Sequence, residues 1–91
     1  MAGNRAGYGK AVTREMYHPI TRPLSVQAQI TQGAAFAAVQ GVEGMILNAV
    51  KSGGSFTLPQ LGRFEVVEKP DGEQALILLQ CQQAREVING N

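Results

Sequence analysis

The spacing of apolar residues changes at Gly53, from a helical period to the alternation typical of strands. Between Ala35 and Val50, apolar side chains recur every three or four residues, which predicts one long amphipathic helix from Thr31 to Lys51. Thr31 is a suitable N-cap, because its hydroxyl can accept a hydrogen bond from a first-turn amide that has no helical partner. Gly53 predicts the end of the helix, since glycine adopts the left-handed conformation without a Cβ clash.

After Gly53, two short runs alternate polar and apolar residues and predict a β-hairpin, because successive strand side chains point to opposite faces. Pro59 and Gly62 lie between these runs and supply the fixed and the permissive backbone torsions of a turn. A third, strongly apolar strand and a short C-terminal helix follow. The predicted boundaries are strands at 55–58, 63–66 and 75–80, an acidic turn at 68–73, and a helix at 82–89 that ends at Asn-Gly.

The N-terminal third of the chain has no regular apolar period. Residues 1–14 are rich in glycine and poor in apolar side chains, which predicts a flexible basic tail ahead of a single domain at 15–91. Pro19 and Pro23 follow closely, and proline removes a helical hydrogen bond and clashes with the preceding turn. We therefore expect an extended segment at 17–24 and at most a short helical turn at 25–30.

A stripe of small residues runs along the predicted long helix at Gly33, Ala37, Gly41 and Gly44. Each glycine lowers helix propensity by up to about 1 kcal/mol relative to alanine. Close packing of another backbone against this stripe would explain its presence. The alternative is that the glycines are merely tolerated.

The segment from the end of the long helix through the hairpin resembles the HU and integration host factor family of small dimeric DNA-binding proteins. The shared pattern is Lys51-x-Gly53, then Leu58-Pro59, a two-residue tip, and Gly-x-Phe-Glu-Val beginning at Gly62; the resemblance covers about residues 30–67. It implies an α+β fold with a long central helix, a small antiparallel sheet of about three strands and an intertwined two-fold homodimer. The residues expected in or beside the shared dimer core are Phe36, Val39, Val42, Ile46, Leu47, Leu61 and Phe64.

Two departures from that family's pattern are visible. Gln60-Leu61-Gly62 stands where the family commonly has Gly-Phe-Gly, as in a divergent branch. The long basic β-ribbon arm that lies in the DNA minor groove is replaced by the tight acidic turn at 68–73. The wedge with which the arm kinks DNA is therefore expected to be missing.

The formal net charge is only +1, but it is unevenly distributed. Residues 1–22 contain four basic residues and one acidic residue, a net +3, whereas residues 23–91 contain four basic and six acidic residues, a net −2. Attraction to phosphate must therefore come from the tail and from a few placed side chains. The expected DNA contacts are Arg5, Lys10, Arg14, Arg22, Lys51, Gln60, Gly62, Arg63 and Lys69.

The residues that could support catalysis are few. His18 is the only histidine, and Cys81 is the only cysteine, which excludes an intramolecular disulfide and a cysteine-rich zinc site. Cys81 ends an apolar strand, where a small core residue is the simpler interpretation. We expect no enzyme activity, no metal and no cofactor. We also expect no membrane-spanning segment, because polar residues interrupt the long apolar stretch.

Two functions remain open. The first is a nucleoid-type, cytoplasmic DNA-binding protein of the kind found in bacteria and phages, whose homodimer binds duplex DNA weakly through the phosphate backbone without sequence preference. The second is a protein–protein interaction module that uses the same scaffold, has lost DNA bending and binds a protein partner. A chain this short buries a modest fraction of its surface, so dimerisation is a plausible source of stability for both.

Overall fold

The computed structural model describes residues 11–90 and confirms an α+β fold. A short 3₁₀ helix precedes two α-helices, a three-stranded sheet and a final helix. The chain divides between Gln40 and Gly41 into two compact units, an N-terminal and a C-terminal unit, which are described separately below. The elements are a 3₁₀ helix at Arg14–Tyr17, α1 at His18–Ala28, α2 at Gln32–Lys51, β1 at Phe56–Leu58, β2 at Gly62–Glu68, β3 at Gln74–Gln80 and α3 at Gln82–Ile88.

The expectation that the prolines keep residues 17–24 extended is wrong, because α1 contains both of them. Pro19 lies in the first turn, where amides have no intrahelical acceptor and a missing N–H costs nothing. Pro23 does remove one helical hydrogen bond. Two residues later, the Ser25 hydroxyl donates to the Arg22 carbonyl at 2.8 Å. Gln29, whose φ is +57°, is the C-cap of the helix.

The N-terminal unit is organised around Tyr17, which is buried. Its ring meets that of Phe36 edge-on, with 5.0 Å between centroids and an interplanar angle of 86°. Thr21 and Ser25 are the buried residues of α1, and Ala35 is fully buried in α2. The predicted tail lies mostly outside the described residues, and Arg14 forms the first position of the 3₁₀ helix.

The predicted boundaries of the long helix are confirmed to within one residue. Thr31 caps α2, since its Oγ1 accepts from the Ala34 amide at 3.0 Å. At the other end Gly53 has φ +86°, and its amide donates to the Val50 carbonyl at 3.1 Å. This left-handed glycine satisfies a terminal carbonyl of α2 and lets the chain turn toward the sheet.

The small-residue stripe makes no close backbone contact in the C-terminal unit. A Cβ atom built at Gly41 or Gly44 would meet no atom of the described chain within 4 Å. No backbone of residues 11–90 therefore packs against these two glycines.

The helix α2 is long and apolar enough to cross a membrane by length and composition, with a mean hydropathy of 1.3 over the critical window. The sequence-based expectation that no segment meets this criterion is therefore wrong. A single helix of this kind is weak evidence for membrane insertion, because core helices of soluble proteins satisfy the same criterion.

The three strands form an antiparallel sheet in the order β1-β2-β3. Phe56 lies opposite Phe64, and Phe64 lies opposite Leu78, so these three side chains share one face. The other face carries the alternating residues of each strand, including Arg63 and its partner Leu79. Both rows are rich in apolar side chains, which is unusual for a small sheet with one buried face.

The two turns of the sheet and the final helix follow their predictions. In the first turn the Leu61 amide donates to the Leu58 carbonyl at 2.9 Å. In the second, the Glu73 amide donates to Asp71 Oδ1 at 2.9 Å. Cys81 caps the N-terminus of α3, because its Sγ accepts from the Ala84 amide at 3.4 Å.

Candidate nucleic-acid interface

Two of the predicted phosphate-binding cations are already paired with acids on the C-terminal unit. Arg63 Nε lies 2.6 Å from Glu65 Oε2 along the same row of β2. Lys69 Nζ lies 3.2 Å from Glu73 Oε1 across the second turn. Both pairs are substantially exposed, so they stabilise the fold little, but each carboxylate offsets the charge that a phosphate would otherwise meet.

Arg14 has a different environment in the N-terminal unit. Its guanidinium carbon lies 4.5 Å from the centroid of the Phe36 ring. A cation–π contact of this kind positions the side chain without neutralising its charge. Arg14 therefore keeps a full positive charge in a restrained position, as a phosphate contact requires.

Two of the remaining predicted cations lie within the described residues and two lie outside them. Arg22 on α1 and Lys51 at the end of α2 are exposed and form no ion pair with any residue between 11 and 90. Lys51 also occupies the favourable position for a cation at a helix C-terminus. Arg5 and Lys10 lie outside the described residues.

An open cleft of about 400 Å³ adjoins Lys51 in the C-terminal unit, and Gly53, Gly54 and Val66 form part of its wall. The amides of both glycines are directed at carbonyls of α2, at 3.1 and 3.0 Å. They are therefore not available to a phosphate in the manner of a helix N-terminus. Lys51 is the cationic group that this cleft offers among the described residues.

The two uncharged residues predicted to contact DNA lie in the first turn and directly after it. Gln60 is exposed and can reach a ligand. Gly62 is buried with φ +147°, and a Cβ atom there would lie 2.1 Å from the Leu79 carbonyl oxygen. Gly62 is thus required for the close approach of β2 and β3, a structural role that its position between turn and strand could have indicated.

The predicted dimer-core residues fall into two groups in the single chain. Phe36, Val39 and Phe64 are half-buried and Ile46 is buried. The other three remain exposed, and Leu47 has 58% of its surface accessible. These three residues are Val42, Leu47 and Leu61.

Sequence reasoning did not identify the apolar character of the second sheet face. In this row the Arg63–Glu65 pair is surrounded by Val67, Ile77 and Leu79, and two of these three side chains are exposed. The row carries one neutralised cation among apolar groups, so it is a poor surface for phosphate. A strand with one solvated face alternates polar and apolar residues. The interior of β3 does not alternate, and this is the sequence signal that both of its faces are apolar.

The comparisons with known proteins identify the fold. No protein-family model matches the chain, and no curated protein sequence matches it significantly. Among solved structures, the chain is similar to HU from Anabaena in an HU–DNA cocrystal, with a TM-score of 0.62 and 22% identity. The match covers 80% of this chain and 96% of that one. This similarity confirms the predicted HU-like α+β fold, with its long helix and three-stranded antiparallel sheet.

Proposed function

We propose that this chain is a non-enzymatic DNA-binding protein whose homodimer contacts the phosphate backbone of duplex DNA without reading its sequence. The observation that carries the proposal is the HU-like fold, shared over 80% of the chain with a protein crystallised on DNA. Fold alone does not assign function. The charges and exposed surfaces of the described residues therefore have to support each part of the proposal.

Dimerisation is supported by the exposed apolar surface of α2. Gly41, Val42 and Met45 lie on one side of its C-terminal half, and Met45 has 55% of its surface accessible. The space beside Gly41 is open to 4 Å. A second α2 helix would be able to approach closely there, since a glycine beside larger apolar residues lets backbones come near each other.

Weak binding follows from the small number of available cations. Arg14, Arg22 and Lys51 form no ion pair with any residue between 11 and 90, and the sequence ahead of residue 11 adds the cations Arg5 and Lys10. The described residues 11–90 contain six basic and seven acidic side chains, a net −1. We therefore assign much of the attraction to the N-terminal segment and the rest to a few positioned side chains.

The short second turn supports binding without sharp bending. HU-like proteins that kink DNA insert apolar wedges between base steps from extended arms. Here β2 and β3 are joined directly by residues 69–73, so no arm extends from the sheet. The proposal therefore places the protein on the nucleoid as a backbone binder that leaves the duplex nearly straight.

Dimerisation is tested by Met45→Glu, with Gln40→Glu as a control that adds the same charge to an exposed polar position of α2. An unpaired carboxylate in the helix–helix contact should weaken the dimer by about 3 kcal/mol, and duplex affinity should fall with it. Sedimentation should show a dimer for the natural chain and the control. Equal association of all three chains would contradict this interface.

Function is tested by binding to a labelled random-sequence duplex at low salt. Binding that is competed equally by unrelated duplexes supports the proposal. Absence of binding at low salt would favour the alternative, a protein–protein interaction module on the same scaffold, for which the neutralised Arg63 and Lys69 are the relevant observation.

A further inference from the structure

Along its whole length, the outer edge of β3 carries backbone groups that pair with no strand of residues 11–90. In the order β1-β2-β3, the strand Gln74–Gln80 pairs with β2 on one side and with no described strand on the other. Exposed edges invite pairing with another strand, and natural proteins usually protect them with charges, prolines or bulges. β3 contains no charged residue and no proline.

The backbone groups that face outward can be identified from the ladder. The Cys81 amide donates to the Leu61 carbonyl at 2.8 Å, and the Lys69 amide donates to the Glu73 carbonyl at 2.7 Å. Both pairs continue the register that sets Glu65 opposite Ile77. Hydrogen-bonded and non-hydrogen-bonded pairs alternate along an antiparallel ladder. The amides and carbonyls of odd-numbered β3 residues therefore face β2, and those of residues 74, 76, 78 and 80 face outward.

The sequence of this edge is nearly symmetric about Ile77. Gln74 and Gln80 lie at equal distances from it, and so do Leu76 and Leu78. An antiparallel copy of the strand, related by a two-fold axis at Ile77, would thus place glutamine opposite glutamine and leucine opposite leucine. Each of these pairs joins two residues whose backbone groups face away from β2, so each pair would exchange two backbone hydrogen bonds.

We propose that β3 is a self-association surface, at which the β3 edges of two copies pair antiparallel about Ile77 and join two three-stranded sheets into one. The partner is a second copy, because a two-fold contact requires a self-complementary patch and this edge has one. Leu76 and Leu78, with 49% and 44% of their surfaces exposed, would be covered by each other's symmetry mates.

No strand of the C-terminal unit pairs with this edge. Helix α3 follows β3 directly, but Gln83, Ala84 and Val87 line a groove with Gln60 and Leu61 at the first turn. The helix therefore lies beside the first turn, at the end of the sheet where β1 and β2 are connected. This contact is distinct from the proposed α2 interface, so the two together would link dimers into larger assemblies.

The register is tested at Gln74 and Gln80, whose side chains are exposed and would pair with each other across the two-fold axis. The double variant Q74K/Q80K places like charges opposite each other twice, whereas Q74K/Q80E places opposite charges there. Cross-strand charge pairs of this kind change pairing energies enough to shift a dissociation constant by about tenfold. The full-length chain should associate with rising concentration, Q74K/Q80K should weaken that association about tenfold, and Q74K/Q80E should restore it.

Amide exchange followed by NMR adds a readout that identifies the edge. The amides of Leu76 and Leu78 should become protected only as concentration rises, while those of Ile77 and Leu79 are protected throughout. Equal association of the two charge variants would overturn the proposed register. Protection of Leu76 and Leu78 at the lowest concentration would show that the chain covers its own edge, and would overturn the proposal.

The tests of the α2 interface and of the β3 contact have distinguishable outcomes. If Met45→Glu yields a monomer at low concentration that still associates in a manner sensitive to Q74K/Q80K, the β3 contact stands. If the natural chain remains a dimer at all concentrations and Q74K/Q80K does not change it, the β3 contact is refuted and the α2 interface survives.

Discussion

The two turns of the sheet are similar in length but differ in their role. One leads into a closely packed strand pair, and the other is exposed to solvent. The first turn, residues 59–61, carries no charge and leads into Gly62, which lies against the backbone of β3. The second, residues 69–73, is polar and exposed and is closed by hydrogen bonds and by the exposed Lys69–Glu73 ion pair. The first turn therefore sets the packing of the sheet. The second occupies the place where an HU-like protein would extend an arm.

This difference suggests that the scaffold and the DNA-deforming element can be separated. The register of β2 and β3 runs without interruption from Gly62↔Gln80 to Glu68↔Gln74. No part of that ladder depends on an arm beyond residue 69. The sheet is therefore complete without an arm, and under the proposed function this chain would hold DNA without one.

The largest expected effect is that of Gly62→Ala. The new Cβ would clash with the Leu79 carbonyl oxygen at a positive φ, and overpacking plus backbone strain should cost about 3–5 kcal/mol. Gly72→Ala is the matched control in the second turn, where φ is +87° and a Cβ meets nothing within 4 Å. It should cost about 1 kcal/mol. Urea unfolding gives both values, and equal losses would contradict the distinction between the turns.

A smaller effect is expected from Glu73→Lys, which makes the second turn basic. If this turn faces DNA, each protomer gains one phosphate contact, and the salt slope of binding should steepen by about 0.9 per contact. Glu86→Lys on α3 makes the same charge change away from the turn. A fluorescence anisotropy titration should show tighter binding for Glu73→Lys than for Glu86→Lys; equal affinities would mean that net charge alone matters.

The smallest effect is expected from Lys69→Ala. The ion pair with Glu73 has side chains 47% and 63% exposed, and solvent-exposed pairs contribute about 0–1 kcal/mol. The midpoint of urea unfolding should therefore hardly move. A loss above about 2 kcal/mol would show that the second turn supports the fold more than its exposure suggests.

Local patterns predicted the elements whose causes are local. The Thr31 cap, the Gly53 stop and the third strand all depend on residues within a few positions of each other, and all three are present. The prolines misled because their cost depends on where α1 begins: Pro19 is harmless in a first turn, and one lost bond at Pro23 does not outweigh the rest of the helix.

The candidate DNA-binding residues were less predictable, because the charge that each one offers depends on which side chains it contacts in the fold. Arg63 and Lys69 were predicted from the sequence as phosphate-binding cations, without their acidic partners. The partner of Arg63 could have been recognised, because Glu65 is two residues further along the strand and therefore lies on the same face. The contact of Arg14 with Phe36 joins residues from different helices, and no short-range pattern encodes it. Which backbone groups of β3 face away from β2 could be identified only from the observed strand register.

We propose that this HU-like chain binds duplex DNA through a few phosphate contacts per protomer. The most direct measurement is the salt dependence of duplex binding by the full chain, compared with a chain that lacks residues 1–13. If a dimer neutralises about four to six phosphates, log K should fall with log salt at a slope of roughly −3.6 to −5.4. The shorter chain should bind severalfold more weakly at low salt while it still folds and dimerises. Binding that is unchanged at high salt, or no binding by either chain at low salt, would contradict phosphate-backbone binding by this chain.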